Sequence, residues 1–246
     1  MRVAAISDVH ANLPALEAVL AAAVAAEVEE TWCLGDLVGY GVEPDACADL
    51  VRERCDVCLV GNHDLAVLGA LDVADFSEAA AAAVEWTREA VHDRTVEFLA
   101  ELAPAAERSG IGLFHASPRD PVWEYVLSGE QADGGMDAHP ERIGLIGHSH
   151  VALFFTRPRE GEPGEPRGAQ AGDGTLLDLG RGEWLVNPGS VGQPRDGDPR
   201  AAWLELDTVA ETARFHRVEY EIERAAGPIA AAGLPRRLAD RLYLGQ

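Results

Sequence analysis

Three polar side chains that can bind a metal or move a proton follow one apolar run of the chain. Residues 57–60 are apolar and predict a buried strand, and Gly61, Asn62, His63 and Asp64 come directly after them. An amide, an imidazole and a carboxylate in a row at a strand end are hard to explain as packing. They are explained if Asn62 binds a metal ion, His63 transfers a proton and Asp64 orients the imidazole.

The same arrangement recurs at the ends of four other apolar runs. Each run is followed by at least one side chain of a metal-binding type: Asp8 and His10 after residues 3–6, Asp36 after residues 31–34, His115 after residues 111–114, and His148 and His150 after residues 143–146. Sheets of α/β proteins place their binding sites outside the strand ends. Side chains two positions apart in extended backbone also point to the same side. The sequence therefore predicts that these side chains and Asn62 converge on one site.

The types of donor at this predicted site favour particular ions and a particular reaction. Mixed His, Asp and Asn ligands suit Mn²⁺, Fe, Zn²⁺, Ni²⁺ or Co²⁺ better than Ca²⁺ or Mg²⁺. Seven such ligands are enough for two divalent metal ions if water fills the remaining positions and one carboxylate is shared. Two ions ~3.5–4 Å apart can clamp an in-line displacement at phosphorus and generate hydroxide near neutral pH. Hydrolysis of a phosphate ester is therefore the expected chemistry.

Predicted helices between these runs would position the strands that carry the site. Helical spacing of apolar residues predicts a helix from about residue 13 to 23, and a second helix is expected at residues 44–54. Residues 72–103 predict a pair of helices with Ser77 and Asp93 as N-caps. The preferred interpretation is that this pair packs on the sheet, and the alternative is that it forms one wall of the cleft.

The second half of the chain is rich in predicted strands, which lie at residues 151–156, 175–179, 184–186, 201–207 and 214–222. Residues 157–174 are rich in Pro, Gly and charge, and they predict a hairpin tip between strands of one sheet. The tail, residues 228–244, predicts a short broken helix whose Arg236, Arg237 and Arg241 are exposed to solvent.

Two loops carry side chains that could contact a substrate. The backbone amides of residues 187–196 and the guanidinium of Arg195 could bind a phosphate, and a structural turn is an equally good interpretation. In the loop of residues 119–135, Trp123 and Tyr125 could contact the substrate or could anchor the loop.

Length and charge limit the classes of partner. A chain of 246 residues is ample for one domain and short for two, so one domain over residues 1–246 is expected. With 42 acidic and 20 basic side chains the net charge is −22, which disfavours stable binding to nucleic acid. A small phosphorylated substrate remains compatible with this charge, because bound cations reverse the local field. The oligomeric state is left open.

The sequence indicates a cytoplasmic protein that does not cross a membrane. No apolar run is long enough to span a bilayer, and the start of the chain does not resemble a signal peptide. Cys55 and Cys58 form a Cys-x-x-Cys pair, but Cys33 and Cys47 do not complete a zinc site at usable spacing. The four cysteines are interpreted as small buried hydrophobic residues in a reducing compartment.

In their order along the chain, these motifs resemble the five motifs of the calcineurin-like metallophosphoesterases. The resemblance is carried by Asp8-x-His10, Gly35-Asp36, Gly61-Asn62-His63-Asp64, His115 and Gly147-His148-Ser149-His150. The stretch Asn-Pro-Gly-Ser-Val-Gly-Gln-Pro-Arg, at residues 187–195, extends it toward the small prokaryotic phosphodiesterase branch. The family fold is an α/β/β/α sandwich of two mixed sheets flanked by helices, and the resemblance implies it here.

The resemblance also implies a role for each site residue. One ion would be held by four side chains: Asp8, His10, Asp36 and His150. The other would be held by Asp36, which bridges the two ions, together with Asn62, His115 and His148. A hydroxide that bridges the ions would attack phosphorus, His63 would protonate the leaving oxygen as the general acid, and Asp64 would orient His63.

Two departures from the family's protein phosphatases favour a small substrate. Those enzymes carry an arginine just before the Gly-Asn-His motif and an Asp-Arg-Gly after the bridging aspartate, whereas this chain has Val60 and Gly39-Tyr40-Gly41. A phosphodiesterase acting on small diesters is therefore preferred. One alternative is a phosphomonoesterase acting on nucleotides or other small phosphorylated metabolites. Another is a non-catalytic binding scaffold, which is disfavoured because no ligand is missing. The sequence leaves the physiological substrate and the native metal open.

Overall fold

Two mixed β-sheets of six strands each form the centre of the protein. The computed structural model describes residues 1–246. In spatial order the first sheet contains β3 (Val57–Cys58), β2 (Glu30–Cys33), β1 (Arg2–Ile6), β11 (Ala201–Asp207), β12 (Thr212–Val218) and β9 (Leu176–Asp178). The second sheet contains β4 (Ala105–Arg108), β5 (Ile111–Phe114), β6 (Ile143–Leu145), β10 (Glu183–Asn187), β7 (Leu153–Arg157) and β8 (Arg167–Gln170).

Parallel strands lie at the heart of each sheet. Strands β1, β2 and β3 are parallel in the first sheet, and β5, β6 and β10 are parallel in the second. The remaining neighbours pair antiparallel. Because parallel strands need a crossover, helices α1 (Leu13–Ala25) and α2 (Pro44–Arg54) connect β1 to β2 and β2 to β3. The carboxyl ends of these strands therefore meet at one edge, where the predicted ligands begin.

Six further α-helices complete the chain: α3 (Asn62–Val67), α4 (Glu78–Ala90), α5 (Asp93–Ala100), α6 (Gly129–Asp137), α7 (Ile222–Ala231) and α8 (Arg237–Asp240). Short 3₁₀ helices lie at Val73–Asp75 and Arg241–Tyr243. None of the helices has the length and apolar character needed to cross a membrane.

Side-chain alternation along the strands produces four layers. In β1, Val3 and Ala5 face the core between the two sheets, whereas Ala4 and Ile6 face α1. On the far side of the second sheet, one face of α6, which includes Met136, packs on β5 and β10. The predicted α/β/β/α sandwich is confirmed.

Trp32 in the core between the sheets provides a test of this packing. Its side chain is fully buried. We expect Trp32→Ala to lower the free energy of unfolding by about 3–5 kcal/mol, because the substitution leaves a cavity and loses apolar burial. Urea denaturation followed by circular dichroism measures the change. Val209→Ala, at a side chain that is 82% exposed, should stay within about 0.5 kcal/mol of wild type, and an equal loss in both variants would contradict this account of the core.

Three local predictions from the sequence are wrong in detail. Asp93 is the first residue of α5, and His92 occupies the N-cap position. The strand predicted at residues 214–222 ends at Val218, and α7 begins at Ile222. Residues 158–166 form the tip of a hairpin that joins β7 to β8 in the second sheet, as predicted, but the segment 157–174 also includes β8 itself and leads on to β9 of the first sheet. Which sheet a strand joins depends on the strand with which it pairs, and that partner can be far away in the sequence.

Candidate metal centre

All seven predicted ligand side chains are buried and meet where the two sheets converge. Two groups have donor atoms that lie within 4.8 Å of one another: Asp8, His10, Asp36 and His150 form the first, and Asp36, His115 and His148 form the second. Asn62 joins the second group, because its Oδ1 lies 3.1 Å from His115 Nε2. Asp36 belongs to both groups. The structure therefore brings the residues together in the two sets that the family resemblance implies.

The backbone at the ligand positions is locally strained. Five of the seven adopt positive φ without being glycine: Asp8 (56°), His10 (49°), Asp36 (53°), His148 (63°) and His150 (59°). Left-handed conformations of this kind cost about 1–3 kcal/mol each, and they cluster at functional sites. Long-range hydrogen bonds hold the strained loops together, for example from His10 N to Asp36 O at 2.9 Å.

Hydrogen bonds to backbone carbonyls fix the tautomer of three ligand histidines. The Nδ1 atoms lie close to carbonyl oxygens: His10 to Val38 (3.1 Å), His115 to Leu34 (2.9 Å) and His150 to Gln193 (2.7 Å). Since a carbonyl oxygen only accepts, each Nδ1–H donates and each Nε2 keeps its lone pair. The lone pairs face the cluster, which is the arrangement of metal-binding histidines.

Several atoms that could bind a metal ion lie close together in the clusters, although no hydrogen bond joins them. His10 Nε2 lies 3.1 Å from His150 Nε2, although both atoms carry lone pairs in the tautomers described above. The buried atoms Asp36 Oδ2 and His148 Nε2 have no hydrogen-bond partner. Lone pairs in such close contact repel one another, and a shared cation turns the repulsion into attraction. The residues present therefore fit divalent metal ions.

Because both clusters are buried, a charged carboxylate in them is unfavourable unless a positive charge lies close to it. Burial raises the pKa of Asp8 to about 7. Burial also raises the pKa of Asp36 well above its ordinary value, and the nearby charge of Asp64 adds to this effect. For His10 and His150, burial lowers the pKa and keeps the rings neutral. Neutral imidazoles are ready to bind a cation, and a bound cation would stabilise the carboxylates in their charged form.

The glycine of the Gly-Asn-His-Asp motif allows a close approach to Asp36. A Cβ atom on Gly61 would lie 2.1 Å from Asp36 Oδ1. The same oxygen accepts a hydrogen bond of 2.8 Å from the backbone N–H of His63. A side chain at position 61 would therefore displace the carboxylate that both clusters share.

Packing holds His63 at the side of the clusters. Its ring lies between the rings of Tyr40, Phe76 and His10, at centroid distances of 4.4, 5.1 and 4.9 Å. Its Nδ1 is buried without a hydrogen-bond partner, beside the Cα of Gly39. The ring lines an open cleft of about 400 Å³ together with Asp36 and Asn62.

Asp64 does not orient His63, so that part of the sequence prediction is wrong. Its carboxylate accepts backbone hydrogen bonds from Val38 N (3.0 Å) and Gly61 N (2.9 Å). These bonds join the loop that follows β2 to the loop that follows β3. The carboxylate therefore fixes the loops that carry Asp36 and Asn62, and it acts on His63 only through the backbone.

Arg195 reaches the cleft, as the sequence allowed. Its Nη2 donates to Tyr40 Oη (3.2 Å) and to Gln193 Oε1 (3.0 Å). Residues 187–196 also have a structural role, since Ser190 Oγ donates to Asp8 O (2.8 Å). The two interpretations of this loop, a phosphate-binding loop and a structural turn, are therefore compatible.

The structure adds cleft residues that the sequence did not identify. Arg241, predicted to be exposed to solvent, lines the cleft and donates from Nη1 to Gln193 Oε1 (3.1 Å). Phe76 and the first turn of α4 also line the cleft, so part of the region at residues 72–103 forms a wall, which was the less favoured interpretation. Trp123 and Tyr125, which the sequence did suggest, also line the cleft, and Tyr125 stacks on His148 with ring centroids 4.1 Å apart.

Comparisons with known proteins show which sequences and structures this chain resembles. Residues 1–209 match the model of the calcineurin-like phosphoesterase superfamily domain. A metallophosphoesterase from Sphaerobacter thermophilus has a similar crystal structure, with a TM-score of 0.88 and 38% identity over 100% of this chain and 99% of that one. An uncharacterized protein of Methanocaldococcus jannaschii is 36% identical over 99% of this chain and 98% of its own length. A hypothetical protein from Pyrococcus horikoshii OT3 shares the fold, with a TM-score of 0.79 and 19% identity over 100% of this chain and 98% of that one.

Proposed function

This chain belongs to the calcineurin-like phosphoesterase superfamily, and we propose that it hydrolyses small phosphate diesters with the help of two divalent metal ions. The observation that carries the proposal is the pair of buried donor clusters that share Asp36 and lie beside His63. In the proposed reaction, ions held by the two clusters would bind the phosphate, and the imidazole of His63 would transfer the proton.

The two clusters divide the ligands between the proposed ions. Asp8, His10, Asp36 and His150 would hold one ion, and Asp36, Asn62, His115 and His148 would hold the other. When bound, the ions supply Lewis acidity that polarises the phosphoryl group and activates water for attack. The donor set is compatible with Mn²⁺, Fe, Zn²⁺, Ni²⁺ or Co²⁺.

His63 is the proposed general acid that donates a proton to the leaving oxygen. Burial lowers the pKa of this ring, and the positive charge of Arg195 lowers it further. The negative charge of a bound phosphate ester acts in the opposite direction, because it stabilises the imidazolium. Proton transfer is thereby coupled to occupation of the cleft by an anionic substrate.

The remaining cleft residues support a small substrate. Arg195 lines the cleft and its Nε has no hydrogen-bond partner, which supports a role in binding a phosphate group of the substrate. Val60 does not line the cleft, so no side chain from that position contacts a ligand there. A cleft of about 400 Å³ lies in the size range of sites for small ligands. These features favour a small diester over a phosphoprotein.

A comparison of two chromogenic substrates tests the proposal. Protein freed of metal and reloaded with Mn²⁺ should hydrolyse bis(p-nitrophenyl) phosphate faster than p-nitrophenyl phosphate at matched concentration, and a chelator should abolish both reactions. Faster hydrolysis of the monoester would make the protein a phosphomonoesterase. Bound metal without hydrolysis of any substrate in a panel would favour a non-catalytic scaffold.

Gly39→Ala is expected to reduce activity by displacing His63. Gly39 has a φ of +84°, and a Cβ atom there would lie 2.5 Å from His63 Nδ1. Moving a catalytic group by about 1 Å can cost about 10²-fold in rate, so we expect a loss of that size in kcat with unchanged metal content. Gly110→Ala is the matched control, since its φ of +76° imposes the same strain but its Cβ would meet no atom. Equal activity in the two variants would contradict the proposed position of His63.

A further inference from the structure

Two arginines in the cleft have no Asp or Glu partner. The guanidinium groups of Arg195 and Arg241 donate to Tyr40 Oη, to Gln193 Oε1 and to the main-chain oxygen of Gln246. Of the 20 arginines, 12 form an ion pair with an Asp or Glu side chain, and Arg195 and Arg241 are among the eight that do not. Both arginines line the cleft, and the buried Nε of Arg195 has no hydrogen-bond partner. An anion that enters the cleft would supply the acceptor that this group lacks.

Gln193 fixes the two guanidinium groups next to each other. Arg195 Nη2 and Arg241 Nη1 both donate to its Oε1, at 3.0 and 3.1 Å. Two guanidinium groups that share one acceptor are also close enough to bind one phosphate together. The backbone of Gln193 accepts from His150 Nδ1, and Arg195 N donates to His150 O at 3.0 Å. The arginine pair (Arg195 and Arg241) therefore lies directly beside the metal centre.

The two positive charges repel each other while the cleft holds no anion. Burial lowers the pKa of Arg241, and the positive charge of Arg195 lowers it further. Both side chains are partly buried, so solvent screens the repulsion less than it would at an open surface. A bound anion would reverse this unfavourable interaction, and the arginine pair thus favours negatively charged ligands.

Packing of the C-terminal tail holds Arg241 in place. The flanking residues Leu238 and Leu242 are buried in a cluster with Tyr40 and with Ala79 and Ala80 of α4. The tail is thereby attached to the loop of Tyr40 and to α4, and both of these segments line the cleft. Because Arg241 is held before a ligand binds, little conformational freedom is lost on binding.

An aromatic pair lies on another side of the same cleft. The rings of Phe76 and Trp123 have centroids 5.0 Å apart, and both side chains are partly buried. The ring of Phe76 also lies 5.1 Å from that of His63, centroid to centroid, so the aromatic pair is next to the proposed general acid. Aromatic side chains in such a position bind flat rings such as nucleobases by stacking.

We infer that Arg195 and Arg241 form a second anion subsite, and that the protein acts on nucleotide-type phosphate esters. The non-scissile phosphate of such a substrate lies on the arginine pair, and its base lies against Phe76 and Trp123. The inference rests on the proposed function, because the scissile phosphate is taken to lie over the two metal clusters.

Binding measurements in the Mn²⁺-loaded His63→Gln protein test the anion subsite. Calorimetric titrations would compare adenosine 5′-monophosphate with adenosine 3′,5′-bisphosphate and adenosine 5′-diphosphate, which each add one phosphate. At least one of the two larger ligands should bind about tenfold more tightly than the monophosphate. Arg241→Gln should remove most of this preference and change the affinity for the monophosphate by less than about threefold.

A second arginine of the tail is the matched control. Arg237 forms an ion pair with Glu78 at 3.7 Å and does not line the cleft, so Arg237→Gln should keep the preference for the second phosphate. Equal affinity for all three nucleotides would overturn the subsite, and so would an equal loss for all three in Arg241→Gln. Either result would leave the proposed hydrolysis intact, since that is measured separately with the chromogenic diester.

The aromatic pair is tested with a ligand that lacks the base. Adenosine 5′-monophosphate should bind about tenfold more tightly than ribose 5-phosphate, since stacking contributes about 1–3 kcal/mol per base. Trp123→Leu should reduce this difference and leave the affinity for ribose 5-phosphate unchanged. Equal binding of the two ligands to the parent protein would exclude a base-binding role for Phe76 and Trp123.

Discussion

Replacement of His63 by glutamine is expected to lower kcat for diester hydrolysis by about 10²–10⁴-fold, the usual contribution of a general acid. The His63 ring is held by contacts with Tyr40 and Phe76, and the ligand side chains have other hydrogen-bond partners. His63→Gln should therefore bind the same amount of metal as wild type. Steady-state kinetics combined with metal analysis of the purified protein measure both quantities.

The leaving group separates an acid from a merely structural residue. p-Nitrophenolate leaves readily without a proton, whereas an alkoxide does not. The His63→Gln variant should therefore lose more activity on a diester with an alkyl leaving group than on bis(p-nitrophenyl) phosphate. His216→Gln is a suitable control, because His216 pairs with Glu205 and stacks on Trp203, outside the cleft. Equal losses on both substrates in the His63 variant would remove this residue as the acid.

The ligand positions could be predicted from the sequence because their signal is local. An apolar run followed by a metal-binding side chain identifies both a strand and the end at which it delivers that side chain. Asp36, for example, comes three residues after β2 ends, and it lies at the same edge as Asp8 because β1 and β2 are parallel. The four layers followed from the family resemblance, and the helical and strand periodicities agree with them.

The role of Asp64 could not be predicted from its neighbours in the sequence. The adjacent His63 suggested a pair of side chains that exchange a hydrogen bond. The structure instead gives the carboxylate two backbone N–H groups, one of them at Val38, 26 positions away. Which acceptor a buried N–H finds depends on how the two loops fold over each other, and that information is not local.

The cleft walls were missed for a related reason. The apolar residues Leu238 and Leu242 predict one buried face of the tail, but they do not predict what Arg241 meets on another face. Phe76 directly precedes the N-cap of α4, a position that often packs locally, whereas here it contacts the ring of His63. Substrate selection depends on such contacts between distant segments, and for that reason the sequence indicates the reaction better than the substrate.

Strain and burial in the site also have a consequence for stability. Positive φ at Asp8, His10 and Asp36 and close contacts between lone pairs make the site costly to form. The apolar core between the sheets offsets this unfavourable free energy, and any cation that binds offsets more of it. A ligand that binds only the folded protein at 100 times its Kd contributes about 2.7 kcal/mol of stability. Metal binding should therefore stabilise the protein, and the effect should depend on the carboxylate that both clusters share.

Asp36→Asn is expected to abolish activity and to reduce the stabilisation of the folded protein by bound metal. The substitution keeps the shape of the side chain and an oxygen that can accept from His63 N, but it removes the charge common to both clusters. We expect a loss of about 10³-fold or more in kcat, since each ion contributes several kcal/mol to the transition state. The number of ions bound per chain should fall below that of wild type, as measured by metal analysis.

Thermal denaturation of the same variant gives a readout that does not depend on turnover. Without metal, Asp36→Asn should be as stable as wild type or more stable, because a carboxylate buried beside Asp64 is replaced by a neutral amide. With saturating Mn²⁺, wild type should gain stability and the variant should gain less than about half as much. Asp207→Asn is the control, since Asp207 lies opposite Arg2 in the β1–β11 register, at the end of β1 away from the clusters, and should respond to Mn²⁺ as wild type does. A variant at position 36 that keeps both the metal-induced stabilisation and the activity would show that this carboxylate does not join two ions.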